Sequence, residues 1–489
     1  MTRVLLACLL FSVIAQTEQT KPAFASVQKY IQDQMAAESI PALSIAVARD
    51  GKIVWEEGFG WADRENHIKA TAHTPYYLAS VTKSLTSAAL MLLQERHSLD
   101  LDHPVNDYLG ASKVHSPMWD ASQATVRRVA THTAGLTTYA RDCAVNAPDC
   151  HTSTSTAIER YGLLFWPPGD HFDYSNLGYG ILGEVVAHTS GKSYGDFLHD
   201  EIFQPLGMSD CALDMNPALR KSAAAQYDQT SHARSPLRSS DHPGASAVHC
   251  SVHDLALFGM FMINARVPGQ KAILSEQSRD AMLNLTVDAG HGERYGMGWW
   301  VNPDLNGYRV VFGSGGTFDS AAALYMVPSE GIVVAVLANT GTSLADKVFQ
   351  QAVSGLLPKF RDQRDKSAQS VKLPEASPNT TQPAPKLAGK WTGEIQTWRG
   401  VVPLTLSISP TRDIHATINS QDRVLQNASV EDNEAYGVFE GDVRTPDAPR
   451  PPYNLEIELY LRGDTLAGAA TTRGNGPALP YWVTLKKAH

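Results

Sequence analysis

The residues best suited to chemistry lie in the stretch 79–93, ASVTKSLTSAALMLL, where Ser80 is followed three positions later by Lys83. Three residues apart on a helix puts both side chains on one face. A serine at a helix start sits where unpaired backbone N–H groups and the positive end of the dipole collect, which suits an oxyanion. A lysine held in dry surroundings loses part of its preference for the charged form and can then accept the serine's proton. The chemistry on offer is nucleophilic acyl transfer. The pair alone does not establish it, because Ser-x-x-Lys arises by chance roughly once or twice in a chain this long. Another stands at Ser26-Val27-Gln28-Lys29. A second candidate is Tyr174-Ser175-Asn176, inside PPGDHFDYSNLGYGILG (167–183). A phenol hydrogen-bonded to a lysine can pass a proton to a leaving group. An amide can orient the lysine or a substrate carbonyl. Taken alone, the segment reads first as a surface turn with a half-buried tyrosine.

These residues need elements to hold them. The run after Ser80 places Leu85, Ala88, Ala89 and Leu92 on one helical stripe. From Ile40 to Phe59 the pattern predicts two strands joined at Asp50-Gly51, a hairpin signal. A helical, loop-rich middle follows. Further strands are predicted over Tyr308–Phe312, Ala321–Val327 and Gly331–Leu337, with a closing helix over Asp346–Leu357. Strands at both ends with helices between them imply one sheet assembled from distant parts of the chain. Residues 358–386 are polar and Pro-rich and read as a linker. Beyond Leu387, short segments such as VPLTLSISP, NLEIELYLRG and YWVTLKK alternate apolar and polar residues, which predicts a small closed antiparallel barrel. That barrel is expected to fold separately and to stand apart from the chemistry.

The chain has 489 residues, 43% hydrophobic and 19% charged, with a net charge of −9. That length supports two or three domains with substantial cores. The acidic balance and the lack of a basic run exclude a nucleic-acid partner. The start, MTRVLLACLLFSVIAQT, carries Arg3 and then an apolar run from Val4 to Ala15. The run is too short to span a bilayer and reads as a signal peptide within 1–25, cut after Ala15 or Ala25. Stable membrane insertion is not expected. Four cysteines follow the leader, Cys143, Cys150, Cys211 and Cys250. An even count in an exported chain suggests disulfides. Cys143 and Cys150 flank a short Asn/Pro/Asp loop, which favours Cys143–Cys150 and Cys211–Cys250 over four free thiols. The cysteine spacings do not fit a zinc site and no His-Glu-x-x-His occurs, so neither metal nor cofactor is expected.

LASVTK around Ser80, THTAGL (Thr131–Leu136), PPGDHFDYSNLGYGILGEVV, and YGMGWW followed by a Gly-rich strand occur in this order. Together they resemble the serine β-lactamase-related family, which includes class C β-lactamases, D-Ala-D-Ala carboxypeptidases, D-aminopeptidases and esterases. The resemblance covers about residues 26–360, and the C-terminal part resembles the lipocalin-like barrel that some members append. It implies an α/β fold of the β-lactamase/penicillin-binding-protein type, an antiparallel sheet flanked by helices plus a helical lobe. This hydrolase domain would occupy 26–357, with the linker at 358–386 and the barrel at 387–489. By position, Ser80 matches the acylated nucleophile and Lys83 the residue that deprotonates it. Tyr174 matches the tyrosine of the Tyr-x-Asn motif, an acid–base partner, and Asn176 matches its asparagine. Half of the oxyanion hole would be the Ser80 N–H, and the other half an N–H of the Gly-rich strand.

One departure bears on substrate choice. The family's third motif is Lys-Thr-Gly or His-x-Gly, whereas this chain reads VVFGSGGTFDS from Val310 to Ser320. One register puts Gly313-Ser314-Gly315 on the motif; another uses Ser314-Gly315-Gly316. Neither supplies the basic residue that can attract a substrate carboxylate. Asp319 would further repel an anion. Glycines still allow the close approach that an oxyanion hole needs. The reading is an exported serine hydrolase for a small-molecule or peptide substrate, cleaving esters or amides, including D-amino-acid peptides. The rivals are a β-lactamase or D-Ala-D-Ala carboxypeptidase, and a non-catalytic binder of peptides or cell-wall fragments. His132 reads as loop-stabilising, and His249 and His253 as alternative sources of the missing charge.

Overall fold

The computed structural model describes residues 24–489 apart from 145–151, 214, 216, 266, 371–385, 412, 475 and 489. The leader lies almost wholly outside the described residues. Two compact units divide the chain. The first draws on residues up to Leu99, on Thr189–Leu237 and on Pro243 onward through the helix that ends at Ser370. The second draws on Asp100–His188, Arg238–His242 and the C-terminal strands.

In the first unit, helix α1 (24–38) precedes a hairpin of β1 (Ala42–Arg49) and β2 (Lys52–Asp63). Its turn has positive φ at both Asp50 (51°) and Gly51 (78°), the backbone that matches the twist of the flanking strands. Seven further strands complete the sheet: β3 (Ile68–Lys69), β4 (Val287–Gly290), β5 (Glu293–Tyr295), β6 (Trp300–Leu305), β7 (Tyr308–Thr317), β8 (Ser320–Val327) and β9 (Ile332–Ala338). Among the described residues the order is β3-β2-β1-β9-β8-β7-β6-β5-β4. The N-terminal hairpin docks on the last strand, with Leu43 opposite Ala338 and Arg49 opposite Ile332. One sheet is thus built from both ends of the domain, as the strand pattern predicts.

The central strands are apolar on both faces because helices cover both. Phe24, Val27 and Ile31 of α1 and Val348, Phe349 and Val353 of α4 (Leu344–Leu356) share a core with Ile45, Val47, Val334 and Val336. On the opposite face, α3 (Val252–Met262) lies so close that a Cβ at Gly259 would meet Val333 at 2.5 Å. Helix α2 (Thr82–Glu95) follows the turn carrying Ser80. The segment 358–386, read as a linker, instead begins with helix α5 (Pro358–Ser370). Phe360 is fully buried in the same core and anchors an otherwise polar stretch; residues 371–385 lie outside the described set.

The second unit joins helices, including Val126–Ala130, Thr154–Tyr161 and Asn176–Ser190, to a nearly closed antiparallel barrel. Its strands are β10 (Gly389–Thr397), β11 (Gly400–Ile408), β12 (Ile414–Ile418), β13 (Gln421–Val424), β14 (Gln426–Glu431), β15 (Glu434–Gly441), β16 (Tyr453–Arg462), β17 (Thr465–Arg473) and β18 (Pro480–Lys487). Strands β13 and β14, consecutive in the chain, form the two edges. The barrel shares a core with the helical segments, contrary to the expectation of a separately folding module. Phe165 and Trp166 pack with Ala467, Ala469 and Trp482. Buried Asp447 accepts hydrogen bonds from Tyr161 at 2.6 Å and Arg160 at 3.1 Å. Ala140 and Ala478 exchange backbone hydrogen bonds. Such long-range pairing leaves no local signal in an alternating sequence.

Cys211 and Cys250 form a disulfide. Cys143 is also disulfide-bonded, while Cys150, its expected partner, lies outside the described residues. Among the described residues no helix is long and apolar enough to cross a membrane.

Candidate active site

Ser80 sits in a single 3-10 turn, Ala79–Val81, that runs directly into α2. The turn is fixed by its backbone: Leu78 donates to Val248 O at 2.9 Å, and Val81 donates to Leu78 O at 3.2 Å. Ala79, immediately before the serine, has φ 44°, a conformation that a residue with a Cβ adopts only when its surroundings over-determine it. Ser80 stays half-buried, while Lys83 is 1% exposed. Lys83 Nζ lies 2.9 Å from Ser80 Oγ and also donates to Ala245 O at 3.2 Å. Ser80 and Lys83 therefore meet as the helical spacing requires.

Strand β7 brings the Gly-rich segment to the same place. A Cβ at Gly315 would lie 2.5 Å from Ser80 N, 2.5 Å from Leu78 O and 3.0 Å from Val81 N. The close approach falls on Gly315; at Gly316 a Cβ would meet only Ser320 O, at 3.4 Å. This suits the register that ends the motif on Gly315. Gly313, on the same face of β7, backs onto Ser84 Oγ (3.2 Å) and the rim of buried Trp299 (3.7 Å). Ser314 and Gly316 are exposed. Asp319 is wholly buried at the strand turn, accepting from Thr317 Oγ1 at 2.5 Å and Gln226 at 3.3 Å. Sequence reasoning missed Gly298 in YGMGWW. Its φ is 79°, a Cβ there would meet Lys83 O and Ser87 Oγ at 2.7 Å, and its carbonyl accepts from Ser84 Oγ at 2.7 Å. The glycine between two bulky residues was the available signal.

Tyr174 and Asn176 belong to the second unit and are held there by their own neighbours. Asn176 opens the helix Asn176–Ser190 and donates to Tyr139 O at 3.0 Å. His132, with φ 58°, accepts at Nδ1 from the Ser175 N–H at 3.1 Å. Its carbonyl accepts from Asp173 N at 2.8 Å, and its ring lies 4.4 Å from the ring of Tyr174. His132 thus braces the Tyr-x-Asn loop, matching its reading as loop-stabilising. His249 and His253 are the two histidines read from the sequence as alternative sources of the missing charge. Burial pushes His249 down to about 4, leaving it neutral near pH 7. His253 is paired with Glu56 at 2.8 Å.

A serine whose hydroxyl touches a buried amine, beside a strand that admits only backbone, is the arrangement by which serine hydrolases build an acyl-enzyme. The family model described as Beta-lactamase matches residues 27–354, and the chain belongs to that family as a serine hydrolase. It is 24% identical over 367 residues to "Protein flp" of Staphylococcus aureus (strain N315), covering 71% of this chain and 72% of that protein. The octameric penicillin-binding protein homologue from Pyrococcus abyssi aligns with a TM-score of 0.56 and 22% identity, covering 94% of this chain and 99% of that one. A class C β-lactamase aligns with a TM-score of 0.59 and 20% identity, covering 69% of this chain and 98% of that one. These two similarities establish the fold.

Proposed function

We propose that this protein is an exported hydrolase that forms an acyl-enzyme at Ser80 and cleaves esters or amides, including peptides with D-amino acids. The observation that carries the reading is the 2.9 Å separation of Ser80 Oγ and Lys83 Nζ in a turn that Gly315 closely abuts. In the acylation step the Ser80 oxygen bonds to the substrate carbonyl carbon as the amine of Lys83 takes the hydroxyl proton. The carbonyl π pair moves to oxygen, and the Ser80 N–H stabilises the resulting oxyanion with a second N–H from β7. Collapse expels the alcohol or amine leaving group, which must gain a proton. Tyr174 is assigned, on its motif, the relay of the proton held by Lys83 to the leaving group, which restores the Lys83 amine and the Tyr174 phenol. Water then attacks the acyl-serine, yielding the acid and free Ser80. Asn176 orients groups near the carbonyl in this reading. Export is supported by the Cys211–Cys250 disulfide.

With glycine at 313, neutral esters and amides are the favoured substrates, and β-lactams or free-carboxylate peptides are the rivals. A missing charge-assisted contact weakens carboxylate recognition by about 1.5–3 kcal/mol, roughly ten- to more than a hundredfold. The test compares kcat/KM for matched substrates with and without the carboxylate, using p-nitrophenyl esters, aminoacyl amides and nitrocefin. Preference for the neutral member supports the assignment. Strong preference for the carboxylate form overturns it, and turnover of none favours the non-catalytic binder.

A further inference from the structure

Outside every motif of the hydrolase, the first unit gathers two histidines and a carboxylate from three distant stretches of chain. Glu56 lies on β2, His73 in the loop before the nucleophile's turn, and His253 at the start of α3. Each offers a ligand atom, and these atoms all lie within 4.8 Å of one another. His253 Nδ1 is 2.8 Å from Glu56 Oε2, and His73 Nδ1 is 2.8 Å from Asp210 Oδ2. The two imidazole rings face each other at 4.5 Å, tilted by 35°.

One histidine–carboxylate contact is an ordinary surface ion pair, worth little. Two such pairs whose imidazole rings meet at 4.5 Å are different, because their ligand atoms converge on one point together with the Glu56 carboxylate. We propose that Glu56, His73 and His253 bind a divalent transition-metal ion of the zinc class. Two imidazoles and a carboxylate form a donor set that suits Zn²⁺ and leaves a further position for water. Asp210 serves as the outer carboxylate that orients the ring of His73. The side chains of His253, Glu56 and His73 are 28%, 29% and 57% exposed, so an ion reaches them from solvent without opening the fold. Sequence spacing gives no hint of the site, since the ligands meet only after β2, the 73 loop and α3 have packed. An ion held there ties these segments together and stabilises the folded chain by mass action.

The test titrates the full-length protein, stripped with EDTA and desalted, with Zn²⁺ by calorimetry, and with Co²⁺ by visible absorption. The expected result is one saturable ion per chain. His73→Ala and His253→Ala should each weaken binding about tenfold or more, and Asp210→Asn about 10- to 100-fold. His103→Ala, removing an exposed histidine whose ring faces Asp100, should change nothing. No saturable one-to-one binding would overturn the proposal, as would binding that both His73→Ala and His253→Ala leave unchanged.

Discussion

A Cβ at position 315 would stand 2.5 Å from the amide nitrogen of Ser80, so strand β7 and the nucleophile's turn are in backbone contact. Gly315→Ala must push the two apart. It is expected to lower kcat/KM for a short-chain ester about 10²–10³-fold, the scale of losing an oxyanion donor. The same overpacking should cost about 1–3 kcal/mol in urea unfolding. Gly316→Ala, with an ordinary contact at 3.4 Å, should stay near wild type in both. Equal behaviour of the two variants would contradict the contact's role.

A pH effect is expected from the second unit. Burial, with Asp173 and Glu434 adding negative charge, pushes Glu458 up to about 7 from an ordinary 4.5; His171 opposes the shift. Tyr460 donates to this carboxyl at 3.2 Å. A group whose folded state holds its proton more tightly favours folding below the ordinary value, and that contribution is lost as pH rises through the folded one. Glu458→Gln should therefore gain about 1–3 kcal/mol on wild type at about pH 8 relative to about pH 4. Parallel stability–pH curves would refute this.

Removing the barrel should damage the helical segments it covers. A chain ending at Ser370, which keeps Phe360 in its core, exposes Phe165 and Trp166, which pack on Ala467, Ala469 and Trp482. Each large apolar side chain uncovered costs about 1.5–3 kcal/mol. Near-UV circular dichroism of the truncated chain should show lost tertiary packing. A soluble, cooperatively unfolding truncation with an unchanged spectrum would show that the helical segments need no barrel.

If the chain is exported as proposed, Phe24 constrains where its leader is cut. It is 2% exposed and stacks on Trp55 at 4.8 Å, so a cut after Ala25 would strip a core residue whereas a cut after Ala15 spares it. Phe24→Ala should cost about 3–5 kcal/mol. N-terminal sequencing of the exported protein is expected to read a residue upstream of Phe24; a start at Ser26 would contradict this.

What the sequence shows plainly is local. The Asp50-Gly51 hairpin, the stripe after Ser80 and the Ser80–Lys83 spacing each depend on a few neighbouring residues. The strand through Gly315 was visible as a Gly-rich run, but its closeness to Ser80 depends on where β7 lies in the sheet. Segment 358–370 is polar in composition, yet it forms helix α5 with Phe360 in the core. The pairing of Ala140 with Ala478 and the neutralised His249 depend on long-range packing, which leaves no periodic trace.

The central claim is that Ser80 carries the acyl group, and intact-mass spectrometry with peptide mapping tests it most directly. The protein is treated with a fluorophosphonate probe and, separately, with a slow-turnover activated ester. One adduct per chain, mapped to Ser80, absent in Ser80→Ala and formed far more slowly in Lys83→Ala, is the predicted result. An adduct on another residue, or labelling of Ser80→Ala at the wild-type rate, would contradict the account.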